Sequence, residues 1–173
     1  MGGNYYSSTG AKITGLKIRL YKVLERGDLD GIREIMQSHF ASIPHDWYRN
    51  NRIDQYEGYY ASVFYAYFAS IGIEVRAEEP TSYGKVDMAV IMPKAVYVFE
   101  FKVIEGEEGT GEALEQIKQK GYGDRYVGSG REIYLIGIEF SKTKRQIVGF
   151  YKDRLKAKAK VKGKGKGKGK GKG

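Results

Sequence analysis

In the run Val96-Tyr97-Val98-Phe99-Glu100-Phe101-Lys102-Val103, two charged side chains interrupt a stretch that is otherwise apolar. Charges taken out of water are costly unless paired, so a strand of this composition needs a chemical reason to carry them. Side chains alternate along a strand with period 2, which puts Glu100 and Lys102 on one face. The preceding run, 86–92, is apolar apart from Asp87, and Pro93-Lys94 between the two reads as a hairpin turn. With the turn centred between Pro93 and Lys94, cross-strand partners have numbers summing to 187, so Asp87 faces Glu100. Directly opposed residues come within about 4.5–5.5 Å at Cβ. Two carboxylates that close repel unless one takes a proton or a cation lies between them. Oxygen ligands around an open position are what Mg2+ prefers. Lys102, next along that face, is then placed to hold or deprotonate a water beside the metal, or to stabilise negative charge growing on a phosphate. The competing reading is a buried Asp/Glu/Lys salt-bridge cluster with no ligand.

The elements around this hairpin follow from periodicity. Ile13, Leu16, Leu20, Val23 and Leu24 recur at helical spacing until Gly27, and Ile32, Ile35, Met36 and Phe40 do so until Ile43-Pro44. A longer helix is expected over 53–70, with Tyr56, Tyr60, Val63, Phe64, Tyr67, Phe68 and Ile71 on one broad aromatic face and Gly72 after it. The period then changes to 2 over 73–78, followed by a turn over 80–84 and the two hairpin strands, both apolar enough to be covered on each face. A Gly/Glu loop at 106–111 leads to a helix carrying Ala113, Leu114, Ile117 and Tyr122; strands are expected at 133–138 and 147–151. The order ααα-βββ-α-ββ predicts an α/β domain, bordering on α+β, with a mixed sheet flanked by helices.

Taken with this order, Gly84-Lys85-Val86-Asp87 followed by Glu100-Phe101-Lys102 resembles the D…(D/E)-x-K signature of the PD-(D/E)XK nuclease superfamily, the fold of many restriction and repair nucleases. Glu57, in Tyr56-Glu57-Gly58-Tyr59-Tyr60, resembles the superfamily's first-helix glutamate, and Gln116 with Tyr122 resembles its Q-x(n)-Y helix. From about Leu20 to Phe150 the chain is similar to the nuclease-like module usually found C-terminal to an AAA-ATPase-like domain in bacterial proteins. Ile43-Pro44, Glu57-Gly58-Tyr59-Tyr60, Glu100-Phe101-Lys102 and Ile136-Gly137-Ile138-Glu139-Phe140-Ser141 carry that similarity. The ATPase-like partner is missing here, and Lys85 stands where the family often has Arg. The resemblance implies a restriction-endonuclease-like core and Mg2+-dependent DNA hydrolysis, with Mn2+ able to substitute. Asp87, Glu100, Glu57 and the Phe101 carbonyl would hold metal, while Asp87, Glu100, Lys102 and Gln116 would form the catalytic set. DNA is the expected partner ahead of RNA, an ATPase-like protein and a homodimer being further candidates. An idle regulatory module that keeps the nuclease fold is the first rival.

Composition sets the outer limits. Of 173 residues, 30 are Lys or Arg and 21 Asp or Glu, and nine alternating lysines from Lys156 to Lys172 account for the whole formal charge of +9. That repeat reads as a disordered tail over 156–173, either a salt-sensitive polyanion tether or a low-complexity extension without a role. The tether is the second rival function. Residues 1–12 read as a loose leader and 13–155 as the nuclease-like domain, long enough for a core without staples. With no cysteine, disulfides, thiolate nucleophiles and Cys-ligated metals are excluded. Neither His39 nor His45 has a metal-ligand spacing, and both read as structural. No apolar run approaches the roughly 20 residues of a membrane span, so a cytoplasmic protein with no membrane partner is expected. Trp47, Tyr48, Arg49 and Arg52 read as caps of the helix pair ahead of a nucleic-acid platform. With zero net charge in the domain, a DNA-facing surface has to come from local clusters such as Lys142, Lys144 and Arg145.

Overall fold

A computed structural model describes residues 6–43, 57–81 and 84–155. The helices are α1 (Tyr6–Arg26), α2 (Leu29–Ala41), α3 (Glu57–Ala69) and α4 (Glu112–Gln119), and a 3-10 turn spans Asp124–Tyr126. The strands are β1 (Glu74–Thr81), β2 (Gly84–Ile91), β3 (Ala95–Ile104), β4 (Glu132–Ser141) and β5 (Gln146–Leu155). They form one sheet in the order β1-β2-β3-β4-β5. The β3–β4 pair is parallel and the other three are antiparallel. The parallel pair needs a crossover, which α4 supplies. This is the mixed-sheet α/β architecture expected from the periodicity.

Period-2 alternation divides the sheet residues between two cores. Tyr97, Phe99 and Phe101 of β3 join Met88, Val90, Ile136, Ile138 and Phe140 under α1, α2 and α3. Val96 and Val98 face the other way, with Ala89, Ile91, Ile133 and Leu135, against Leu114 and Ile117 of α4. Aromatic rings fill the first layer: Phe64 stacks on Phe101 at 5.6 Å and Tyr60 on Phe140 at 3.9 Å. In α3 the buried residues Tyr60, Phe64 and Phe68 stand four apart, one stripe of the broad face expected there. Because Glu100 and Lys102 share the parity of Val96 and Val98, they lie on the α4 side of the sheet, away from the aromatic layer.

The structure corrects three local expectations. The helix begins at Tyr6, so residues 6–12 of the stretch read as a loose leader are helical; once a helix is nucleated, each further residue adds one backbone bond. Thr81 pairs with Gly84 and Pro80 with Lys85, so β1 runs through the region read as a turn. Pro80 is tolerated because β1 is the sheet edge, where a missing N–H can face outward. Tyr122 lies beyond the end of α4 and is buried in the second core.

Helix boundaries obey the expected chemistry. Gly27, at φ 69°, follows Arg26, and Asp28 then caps α2 by accepting from the Gly31 N–H at 2.9 Å.

Candidate active site

The β2–β3 ladder has the register summing to 187 over the pairs from Met88↔Phe99 to Ile91↔Val96. It stops one residue short of Asp87 and Glu100. There Asp87 Oδ2 accepts a hydrogen bond from the Phe101 N–H at 2.8 Å, replacing a strand-to-strand backbone bond with a side chain. The hairpin thus brings both carboxylates to one place, on the face of the sheet that α4 covers.

Glu100 is the most perturbed group there. It is 5% exposed. Its Oε1 accepts from the Gln116 side-chain amide, whereas its Oε2 is buried with no hydrogen-bond partner among the described residues. Burial and then the neighbouring charge of Asp87 push its pKa up to about 8, and Glu57 adds to the effect. A buried carboxylate oxygen without a partner is costly. Lys102, with a side chain 31% exposed, pairs with Glu112 of α4 at 2.5 Å. That bond is the main cause of its raised pKa, and the charges of Glu57 and Glu139 act in the same direction. Glu57, the first residue of α3, accepts a hydrogen bond from the Val103 N–H at 3.4 Å, on the stretch of β3 beyond its ladder with β2. Tyr122 is buried beneath the group; desolvation and the Glu100 charge raise its pKa.

Asp87, Glu100, Lys102, Gln116 and Glu57 therefore converge on the end of β3, although Glu57 is exposed and meets the backbone of Val103. Among the described residues no three His, Asp or Glu side chains form a ready-made cage. Two carboxylates and the Phe101 carbonyl nevertheless make a hard, all-oxygen donor set with the Glu100 Oε2 lone pairs unused, which fits Mg2+ or Mn2+. His39 takes no part: it stacks on Tyr67 at 3.9 Å between α2 and α3. His45, Trp47, Tyr48, Arg49 and Arg52 lie outside the described residues.

Sequence reasoning gave Glu112, Glu139, Thr110 and Gly137 no role in the site, although Gly137 and Glu139 lie in a stretch that carries the family similarity. Glu112 neutralises Lys102, and Glu139 accepts from the backbone of Thr110 and Ala113. Gly137 lets α4 touch the sheet: a Cβ there would lie 2.2 Å from the Leu114 nitrogen. A charge in the apolar run Ile136-Gly137-Ile138-Glu139-Phe140 is the same kind of signal that singled out Glu100. In the basic cluster, Lys142 pairs with Glu105 and Lys144 with Glu107 at 3.4 Å. Lys144 and Arg145 border a groove of about 300 Å³ with Gln37, Phe40 and Ile147.

The sequence profile of the PD-(D/E)XK nuclease superfamily matches residues 55–150, a span that contains Glu57, Asp87, Glu100, Lys102 and Gln116. The chain belongs to the PD-(D/E)XK nuclease superfamily. Members of the PD-(D/E)XK superfamily generally hydrolyse phosphodiester bonds. Over 137 residues the chain is 51% identical to a protein of Azotobacter chroococcum mcd 1 described as an uncharacterized protein in the vnfD 5' region. That stretch is 79% of this chain and 26% of the relative, so the chain spans about a quarter of the curated relative it matches. No helix among the described residues of this PD-(D/E)XK chain is long and apolar enough to cross a membrane.

Proposed function

We propose that this domain is a Mg2+-dependent nuclease that hydrolyses DNA phosphodiesters at the Asp87/Glu100/Lys102 group. The observation that carries this reading is the Glu100 carboxylate, buried beside Asp87 with Oε2 unpartnered, because a divalent cation is what makes two adjacent ionised carboxylates affordable there. Asp87, Glu100 and the Phe101 carbonyl would hold the ion, with Glu57 completing the carboxylate set. When bound, it supplies Lewis-acid polarisation of the phosphate and a more acidic water. Gln116 fixes Glu100 through Oε1. Lys102 would exchange Glu112 for the substrate, orienting the attacking water and facing the charge that develops on the phosphoryl oxygens. Preference for DNA and for internal cleavage rests on the likeness to restriction and repair nucleases, and function within a fold is argued from the site.

The test is calorimetric titration of Mn2+ into the protein and into Asp87→Asn, followed by plasmid nicking with the same samples. Binding that is lost in the variant, with nicking by the wild type, is expected. Absence of binding at millimolar Mn2+, with and without DNA, would reduce the group to a structural cluster and favour an idle regulatory module. Deleting residues 156–173 separates both from a tethering function, since a tether would lose all DNA affinity and a nuclease would keep metal-dependent cleavage.

A further inference from the structure

Glu139 of β4 is fully buried, yet the proposed reaction makes no use of it. Its carboxylate accepts three hydrogen bonds. Oε2 takes the Thr110 N–H, and Oε1 takes the Ala113 N–H at 3.1 Å and the Thr110 hydroxyl at 3.2 Å. These donors are the first turn of α4 and the residue just before its cap. The N-cap position itself is Gly111, at φ 82°, which has no side chain to offer. Glu139 therefore does from the sheet what a capping side chain does from the helix, and its charge suits the positive end of the helix dipole.

A second anchor lies two residues away on the same face of β4. Gly137 is the register partner of Glu100, and the backbone of α4 rests on it so closely that a Cβ would meet the Leu114 nitrogen at 2.2 Å. On β5, Gly149 clears the space Glu139 occupies: a Cβ there would be 3.0 Å from Glu139 Oε2 and 3.1 Å from its Cβ. A helix pinned at two points along one strand can neither slide nor roll. Gln116, one turn past Ala113, is then held over Glu100, and the register partner of Glu139 is Lys102.

We propose that Glu139 is a positioning residue: by capping α4 from the sheet it sets the Gln116 amide on Glu100 Oε1, and so determines that Oε2 is the oxygen left to hold a cation. The functional consequence rests on the metal-site reading above, whereas the link from Glu139 to Gln116 can be tested without metal. A carboxylate is required because three donors converge on two acceptor oxygens. A glutamine of the same shape would turn one of those acceptors into an N–H donor facing a backbone N–H.

In the untruncated 173-residue chain without metal, the Gln116 side-chain amide resonances should be displaced from the free-amide position by the bond to Glu100. Glu139→Gln is expected to return them to that position, and Thr110→Ala, which removes one of the three bonds, to move them part of the way. If Glu139→Gln does not fold, the Thr110→Ala shift alone decides. Unmoved Gln116 resonances would overturn the proposal. In a Mn2+ titration, Glu139→Gln and Gln116→Ala should each lower affinity about ten- to hundredfold, and the double variant should lose no more than Gln116→Ala alone. Additive losses would make Glu139 a support of the fold in general and overturn its action through Gln116. A wild type that takes up no Mn2+ would defeat the metal reading, while the Gln116 resonances would still decide the positioning role.

Discussion

Asp87 and Phe101 are joined by a 2.8 Å hydrogen bond from the Phe101 N–H to Asp87 Oδ2, at the point where the β2–β3 ladder ends. That bond fixes the Asp87 carboxylate on the Glu100 side of the hairpin and satisfies a backbone donor that the separating strands would otherwise strand. Asp87→Asn keeps an oxygen for this bond and removes the charge. Mg2+ affinity should drop at least tenfold by calorimetry. The metal-free fold should change by no more than about 1 kcal/mol in urea, because relief of the repulsion on Glu100 offsets a weaker hydrogen bond.

The raised pKa of Glu100 makes metal-free stability depend on pH. Between the ordinary value of 4.5 and about 8, the folded state keeps a proton that the unfolded chain has released. Stability from this group is therefore fully present below 4.5 and is lost as pH rises through about 8. Melting curves at stepped pH should show this decline for the wild type relative to Glu100→Gln. Saturating Mg2+ should flatten the wild-type profile, since the cation favours the ionised carboxylate. A wild-type profile parallel to that of Glu100→Gln without metal would place the titration elsewhere.

Lys102 is held by Glu112 at 2.5 Å, on the exposed rim of the site. Lys102→Ala should leave the melting temperature nearly unchanged, because a partly exposed ion pair contributes little to stability. Cleavage should fall by about 10²–10⁴ if the lysine activates water or stabilises transition-state charge. Glu112→Gln is the informative control: it frees Lys102 and should retain cleavage. Equal loss in both variants would mean that the pair, rather than the lysine, matters.

At Gly137 any side chain meets the backbone of α4, with a Cβ 2.2 Å from the Leu114 nitrogen. The obstacle is main chain and cannot rotate aside. Gly137→Ala should cost about 1–3 kcal/mol in urea unfolding and lift α4 with Gln116 from Glu100, lowering metal affinity in the folded protein. Gly58 of α3, which has nothing within 4 Å of an added Cβ, is the unobstructed comparison: Gly58→Ala should be neutral or slightly stabilising.

Much of this was readable in one dimension because it depends on short-range periodicity. The order of elements, the register of the β2–β3 hairpin and the shared face of Asp87, Glu100 and Lys102 follow from period 2 and a two-residue turn, both properties of the local chain. Helix stops at Gly27 and Gly72 were legible for the same reason, since left-handed φ values of 69° and 79° favour glycine. Less legible were places where a distant element overrides local preference. Pro80 reads as a turn residue and is a strand residue because β1 lies at the sheet edge. Tyr122 reads as part of a helix and is instead packed under the site.

The sequence by itself determined that three charged side chains must share one face of an apolar hairpin, and hence that a cation or an ion-pair cluster belongs there. Only the tertiary structure decided which groups answer them. Gln116 meets Glu100, Glu112 meets Lys102, and Glu139 caps α4, because the parallel β3–β4 pairing and the Gly137 contact set that helix on the sheet. These partners lie 10 to 26 residues from one another along the chain in pairings that no local period encodes, so packing alone brings them into hydrogen-bond range.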